Sequence, residues 1–248
     1  NFSKLPGVKL RKCCDKNQER LDFLYKLYPT VTMTKDYTDI LKDKEIDAVY
    51  IATPAKTHYR ITKESLLNGK HVLVEKPIAV NSENVKDLIE LANKNNKVLM
   101  VGHVFEYSPA INSIKAFLKN NGIGNILYIY STRTSLGPRA REDVNIVWDY
   151  AIHDVSILLY LLQMMPIETK AEGKAYLRNN IEDVVFFTLL FPQNILVHCH
   201  TSWYDPLKVR RMIMIGSKRM LFYDDLAEKN KVIIFNRGYN KFNGIDKF

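Results

Sequence analysis

At 248 residues, 46% hydrophobic and 25% charged, the chain has room for one large or two ordinary domains and reads as globular, not disordered. No apolar run approaches the roughly eighteen residues that a bilayer span needs, and no signal peptide is visible, so a soluble, cytoplasmic protein with no membrane partner is expected. The formal charge of +9 is spread along the chain in pairs such as Arg210-Arg211 and Lys218-Arg219, with no basic block interleaved with aromatics, which argues against nucleic acid as a partner.

Taken in chain order, Phe2 to Gly7 reads as the tail of a helix closed by Gly7 at its C′ position. Apolar, β-branched runs then alternate with amphipathic stretches. The runs are Val8 to Cys14, Ala48 to Ala52, His71 to Val74 and Val98 to Val101, and the stretches include Gln18 to Tyr28, His58 to Asn68 and Glu83 to Asn95. Such alternation predicts an α/β unit of the doubly wound type, with a parallel sheet covered on both faces and ligands at the carboxyl ends of its strands. Beyond Gly102 the rhythm changes. Helices are predicted over Ala110 to Lys119 and Trp148 to Leu162. Strands follow at Thr169 to Ala175, Asp183 to Phe191, Ile195 to Ser202, Val209 to Ile215, Met220 to Tyr223 and Val232 to Phe235. Successive strands with few helices between them predict a largely antiparallel open sheet in an α+β domain. The boundary is placed near His103 to Tyr107, giving domains of 1–104 and 105–248.

Several positions carry residues suited to chemistry. Asp15 directly follows the first run, where a dinucleotide fold uses an acid to bind ribose hydroxyls, although a strand-ending Asp also suits any turn. Glu75-Lys76-Pro77 closes another run, so Lys76 is either a proton-exchanging lysine at the sheet's edge or a surface lysine in a turn. Asp149 and His153 stand four apart on a predicted helix and so share a face, which fits either an acid/base pair or a capping Asp beside a His in a polar pocket. Thr53-Pro54 with His58, Gly102-His103 and Tyr107-Ser-Pro109 are further loop signals. Cys13, Cys14 and Cys199 form no CxxC pair, His198 and His200 alternate along one strand, and no metal-ligand spacing appears, so no metal is expected.

Together, Ala52-Thr-Pro54 with His58, Gly69-Lys-His-Val-Leu-Val-Glu-Lys-Pro77, Val101-Gly-His103 and Trp148-Asp149 with His153-Asp154 resemble the glucose-fructose oxidoreductase and inositol dehydrogenase family, Gfo/Idh/MocA. The resemblance implies a Rossmann domain followed by an α/β domain whose open sheet makes a subunit interface, hence a homo-oligomer. It implies a sugar oxidoreductase in which Lys76, His153 and Asp149 are catalytic. Asp15, Thr53, Pro54, His58, Glu75, Lys76 and His103 are implied to contact NAD, with NADP as the other candidate, and Tyr107 and Arg133 to join Lys76, Asp149 and His153 at the substrate. Arg133-Thr-Ser-Leu-Gly-Pro138, Ser202-Trp-Tyr-Asp-Pro206 to Arg210, and Gly216-Ser-Lys218 look most like the branch acting on nucleotide sugars, such as the UDP-N-acetylglucosaminuronate 3-dehydrogenases, with Arg139 and Lys208 as further anion contacts. A free-sugar or polyol dehydrogenase and a non-catalytic dinucleotide-binding module are the alternatives. Family members begin with a strand and a GxGxxG turn and run past the position of Phe248, so the chain is expected to be truncated at both ends.

Overall fold

The computed structural model describes residues 2–137 and 143–238, which divide into two compact units, 1–102 and 103–248. The division falls just before His103, two residues ahead of the boundary placed from the sequence.

The first unit opens on a 3-10 turn, Phe2–Lys4, and Gly7 adopts a φ of +77°, a conformation that glycine reaches without steric cost. It continues as β1 (Lys12–Cys14), α1 (Gln18–Leu27), β2 (Thr32–Thr34), α2 (Thr38–Leu41), β3 (Ala48–Ile51), α3 (Ala55–Leu67), β4 (His71–Val74), α4 (Ser82–Lys94) and β5 (Leu99–Val101). Asn17 and Asn81 cap α1 and α4, their side-chain oxygens accepting from the amides of Arg20 and Asn84. Helix α3 begins three residues earlier than predicted, directly after Pro54, whose fixed φ suits the entry to a helix. Ile61 and Leu66 of α3 and Leu88 and Ala92 of α4 bury against Ile51, Val72 and Val74. Every strand pairing is parallel, as predicted. The sheet is in two pieces among the described residues, β1–β2 and β3-β4-β5.

The second unit runs from a 3-10 turn, Val104–Tyr107, through α5 (Pro109–Lys119), β6 (Ile126–Leu136), a π-turn at Val147–Ala151, and α6 (Ile152–Leu162). It then continues as β7 (Glu168–Lys174), β8 (Val184–Phe191), β9 (Ile195–Ser202), β10 (Tyr204–Gly216), β11 (Met220–Asp224) and β12 (Val232–Phe235). These strands form one seven-stranded sheet in the order β12-β11-β10-β6-β9-β8-β7, antiparallel except where β6 meets β9. One face is the core: Ile129, Val185, Phe187, Leu189, Val197, Met212, Met214 and Leu221 pack with Ile111 and Ile114 of α5 and Ile157, Leu158 and Leu161 of α6. A fully buried leucine such as Leu158 contributes about 1.5–3 kcal/mol of transfer free energy.

The opposite face is open. Strand alternation sets cross-strand rows on it, one running Thr188, His198, Tyr130, Ile213, Phe222, Ile233 and the next Leu190, Leu196, Tyr128, Ile215, Met220, Phe235. Tyr128, Tyr130, Phe186, Leu196 and Phe235 are each more than 40% exposed there, and the Phe186 ring stacks on His200 at 4.3 Å.

Candidate active site

In the first unit, the candidate residues gather at the carboxyl ends of the parallel strands. The amide of Glu75 donates to Ile51 O (2.9 Å) and that of Gly102 to Val74 O (2.9 Å), so the exits of β3, β4 and β5 are laced side by side. Lys76 is half-buried between Glu75 and Pro77, immediately after β4. Glu75 accepts a 2.7 Å hydrogen bond from the Tyr50 hydroxyl. Burial, then this bond, push the Tyr50 phenol up to about 12. A side chain on Gly102 would place its Cβ 3.3 Å from both Glu75 carboxylate oxygens, a tight approach that the Glu75 side chain would have to yield to. Tyr50 was not among the residues singled out from the sequence; its signal would have been its place on β3 beside the strand that ends in Glu75.

His58 requires a correction. The imidazole is 1% exposed, with Nδ1 at 2.7 Å from Pro77 O and Nε2 at 2.7 Å from Thr53 O. A ring enclosed in this way ties the loop after β3 to the loop that carries Lys76 and is not offered to a cofactor. Thr53 is exposed, its hydroxyl 2.7 Å from that of Thr57, and Pro54 is exposed at the start of α3.

Asp15 follows β1 and its carboxylate is already engaged: Oδ1 accepts from the amide of Asn17 (2.8 Å), and Oδ2 lies 3.4 Å from Arg20 Nη1. With its side chain 30% exposed, it retains a solvent-facing edge to accept hydroxyl donors. Asp15 thus leaves an acceptor open at the exit of β1, as Thr53 does after β3. No glycine-rich turn opens any of the described helices, and α1 and α4 already spend a free amide on their Asn caps.

The second unit holds the other set. The α-helix predicted from Trp148 is replaced by the π-turn over its first residues, so Asp149 sits in the turn and His153 in α6. Trp203, at the end of β9, donates from Nε1 to Asp149 Oδ2 at 3.0 Å, a partner the sequence reading did not identify. His153 is half-buried, its ring edge-on to Phe105 at 5.0 Å and 73°. His103 is half-buried ahead of the 3-10 turn, whereas Tyr107 is 67% exposed.

Arg133 is also corrected. Instead of reaching a substrate, its guanidinium grips Asp154 through Nε (2.7 Å) and Nη2 (3.3 Å), with each side chain only 4% exposed. Burial opposes the Arg133 charge, but Asp154 outweighs it and the pKa is raised. The same burial, with Asp154 beside it, holds the Cys199 thiol well above its ordinary range. Lys208 is exposed on β10, and Arg139 lies outside the described residues. Among the described residues no group of three or more metal-ligating side chains occurs, and no helix is long and apolar enough to cross a membrane.

Residues 1–103 match the family model described as "Oxidoreductase family, NAD-binding Rossmann fold", and residues 111–222 match the "GFO/IDH/MocA C-terminal domain". The chain is 28% identical over 201 residues to UDP-N-acetylglucosamine 3-dehydrogenase of Acidithiobacillus ferrooxidans, a match covering 81% of this chain and 62% of that protein. It is 30% identical over 162 residues to scyllo-inositol 2-dehydrogenase (NAD(+)) of Bacillus subtilis, covering 64% of this chain and 47% of that protein. A solved structure from Magnetospirillum magnetotacticum superimposes with a TM-score of 0.84 at 30% identity, covering 95% of this chain and 75% of that one. The A. ferrooxidans dehydrogenase gives a TM-score of 0.78 at 26% identity, covering 90% of this chain and 71% of that one. The matched chain therefore spans less than two thirds of the length of these curated relatives.

Proposed function

Because the chain belongs to the Gfo/Idh/MocA oxidoreductase family, we propose that it serves an NAD(P)-dependent dehydrogenase acting on a ring carbon of a sugar carried on a nucleotide. The observation that carries this reading is the placement of Lys76 directly after β4 and of His153 at the start of α6, two side chains able to exchange protons. A dinucleotide would be held by Asp15 at the ribose and by Thr53, Pro54, Glu75, Lys76 and His103 toward the nicotinamide, which supplies the hydride acceptor when bound. His58 keeps the loops of Thr53 and Lys76 together without touching it.

Removing hydride from an alcohol carbon leaves the hydroxyl proton to be taken up by the protein. Lys76, half-buried beside the acidic Glu75, and His153, backed by Phe105, are the groups able to hold that proton. Asp149, anchored by Trp203, contributes an acceptor for a sugar hydroxyl. The nucleotide-sugar assignment draws on the A. ferrooxidans relative. The inositol relative favours a free polyol as the second reading. Incubating the protein with NAD and a panel of UDP-sugars, simple sugars and inositols, and following absorbance of the reduced cofactor, separates them. Turnover of a UDP-N-acetylhexosamine is expected, and a response to inositols alone overturns the nucleotide-sugar reading.

The open face of the second unit's sheet supports a further part of the same proposal: a second copy of the chain covers it and the protein is a homo-oligomer. Its largely apolar rows run across six of the seven strands, β8 to β12, and isolated monomers rarely leave such a patch in water.

A further inference from the structure

We propose that Arg133, Asp154 and Phe105 act together as a positioning device for the His153 imidazole, an inference that rests on the reading of His153 as a proton-exchanging group. The contacts close a ring within the second unit. Arg133 on β6 binds Asp154 on α6 through Nε at 2.7 Å and Nη2 at 3.3 Å. The same guanidinium lies over the Phe105 ring, 4.8 Å from its centroid, and that ring meets the edge of His153 at 5.0 Å and 73°. His153 precedes Asp154 in the chain, so the path returns to its start.

Each contact restrains a different freedom of the imidazole. Asp154 accepts from Arg133 twice and from the Ser131 hydroxyl at 2.8 Å, which anchors α6 to the sheet one residue from His153. Neighbouring helical positions stand roughly 100° apart around the axis, so turning α6 enough to swing His153 away pulls Asp154 off three hydrogen bonds. Phe105 then restrains the ring itself, because an edge-on aromatic contact favours one plane over others. The anchoring matters here because the π-turn at Val147–Ala151 interrupts the ordinary helical hydrogen-bond ladder just before His153.

A buried ion pair is a poor means of gaining stability, since hydrophobic residues of similar volume often serve as well or better. With 4% exposure on each side, this pair sacrifices the solvation of both charges and gains fixed geometry in return. That geometry is delivered at the residue beside His153. Arg133, Asp154 and Phe105 touch the reacting groups only through His153 and are positioning residues, not catalytic ones.

The test is the double substitution R133M/D154L, which removes both charges together and leaves no buried ion unpaired. Imidazole 15N resonances report on the ring, with His58 of the first unit as the internal reference. In the double variant the His153 signals are expected to shift and broaden while those of His58 stay in place. With a turned-over sugar, kcat should fall about tenfold or more, and in a His153→Ala background the same substitutions should change kcat by less than about twofold. Unchanged His153 resonances, or an undiminished loss in the His153→Ala background, overturn the proposal. If His153→Ala alone leaves turnover intact, the proton-exchange reading fails instead, and the resonances still decide whether the three residues hold the ring. Phe105→Leu, which keeps the ion pair, gives the same readings should the double variant not fold.

Discussion

Replacing His58 by alanine tests how the loop carrying Lys76 is held. The imidazole is 1% exposed and its two nitrogens lie 2.7 Å from Pro77 O and Thr53 O. Its removal strands the buried Pro77 carbonyl, at about 1–3 kcal/mol, and leaves a ring-sized hole in the first unit. Thr53 is exposed, so its carbonyl recovers water and adds little. The sum is about 3 kcal/mol, large against the 5–15 kcal/mol typical of a folded domain. His58→Gln keeps one donor group and should recover part of this loss. Urea unfolding followed by circular dichroism measures the change, and the Lys76 backbone amide should exchange faster with solvent in the alanine variant. A loss below about 0.5 kcal/mol for His58→Ala, within the range of ordinary surface substitutions, refutes the bridging role.

Three other outcomes follow from particular contacts. Trp203→Phe removes the 3.0 Å donor to Asp149 while keeping most of the ring's bulk, so turnover should drop several-fold, about 3- to 30-fold, with secondary structure unchanged by circular dichroism. Placing charge on the open sheet face, with Tyr130→Glu or Phe186→Lys, should convert an oligomer to monomers in analytical ultracentrifugation, and an unchanged sedimentation coefficient removes that face from the interface. The Tyr50 phenol, held near 12 when folded against about 10 when unfolded, binds its proton more tightly in the native state. Its contribution is therefore complete below about pH 10 and is lost as pH rises through 12; alkaline denaturation of Tyr50→Phe should lack this component, and an identical pH profile for both proteins contradicts it.

Much of the architecture was legible because burial follows simple periods. Strands β9 and β12 fall where alternation predicts them, and the parallel pairing of β3, β4 and β5 follows from short apolar runs separated by amphipathic helices. Strand β6, central to the second sheet, escaped the sequence reading because its alternation is blurred. Its core side carries Ile129 but also Ser131 and Arg133, whereas its open side carries Tyr128 and Tyr130, so polar residues join the inside and aromatics lie outside. The buried Arg133 that disguises the strand is also the residue mistaken for a substrate contact. A charge that pairs internally cannot be told by composition from one that meets a ligand. The short elements β2 and α2 carry too few residues to show a period. The π-turn left no mark either, because Trp148-Asp-Tyr-Ala-Ile152 reads equally well as an α-helix, and only the tertiary partner Trp203 shows where Asp149 is held.

The most direct measurement of the central claim is steady-state turnover of a UDP-sugar with NAD by the Lys76→Ala and His153→Ala proteins, alongside their NAD dissociation constants. Removing a positioned acid or base should lower kcat by about a hundredfold or more in each, while NAD affinity changes far less because the ribose end is assigned to Asp15. Near-normal kcat in both variants, or a loss explained entirely by weaker NAD binding, contradicts the account.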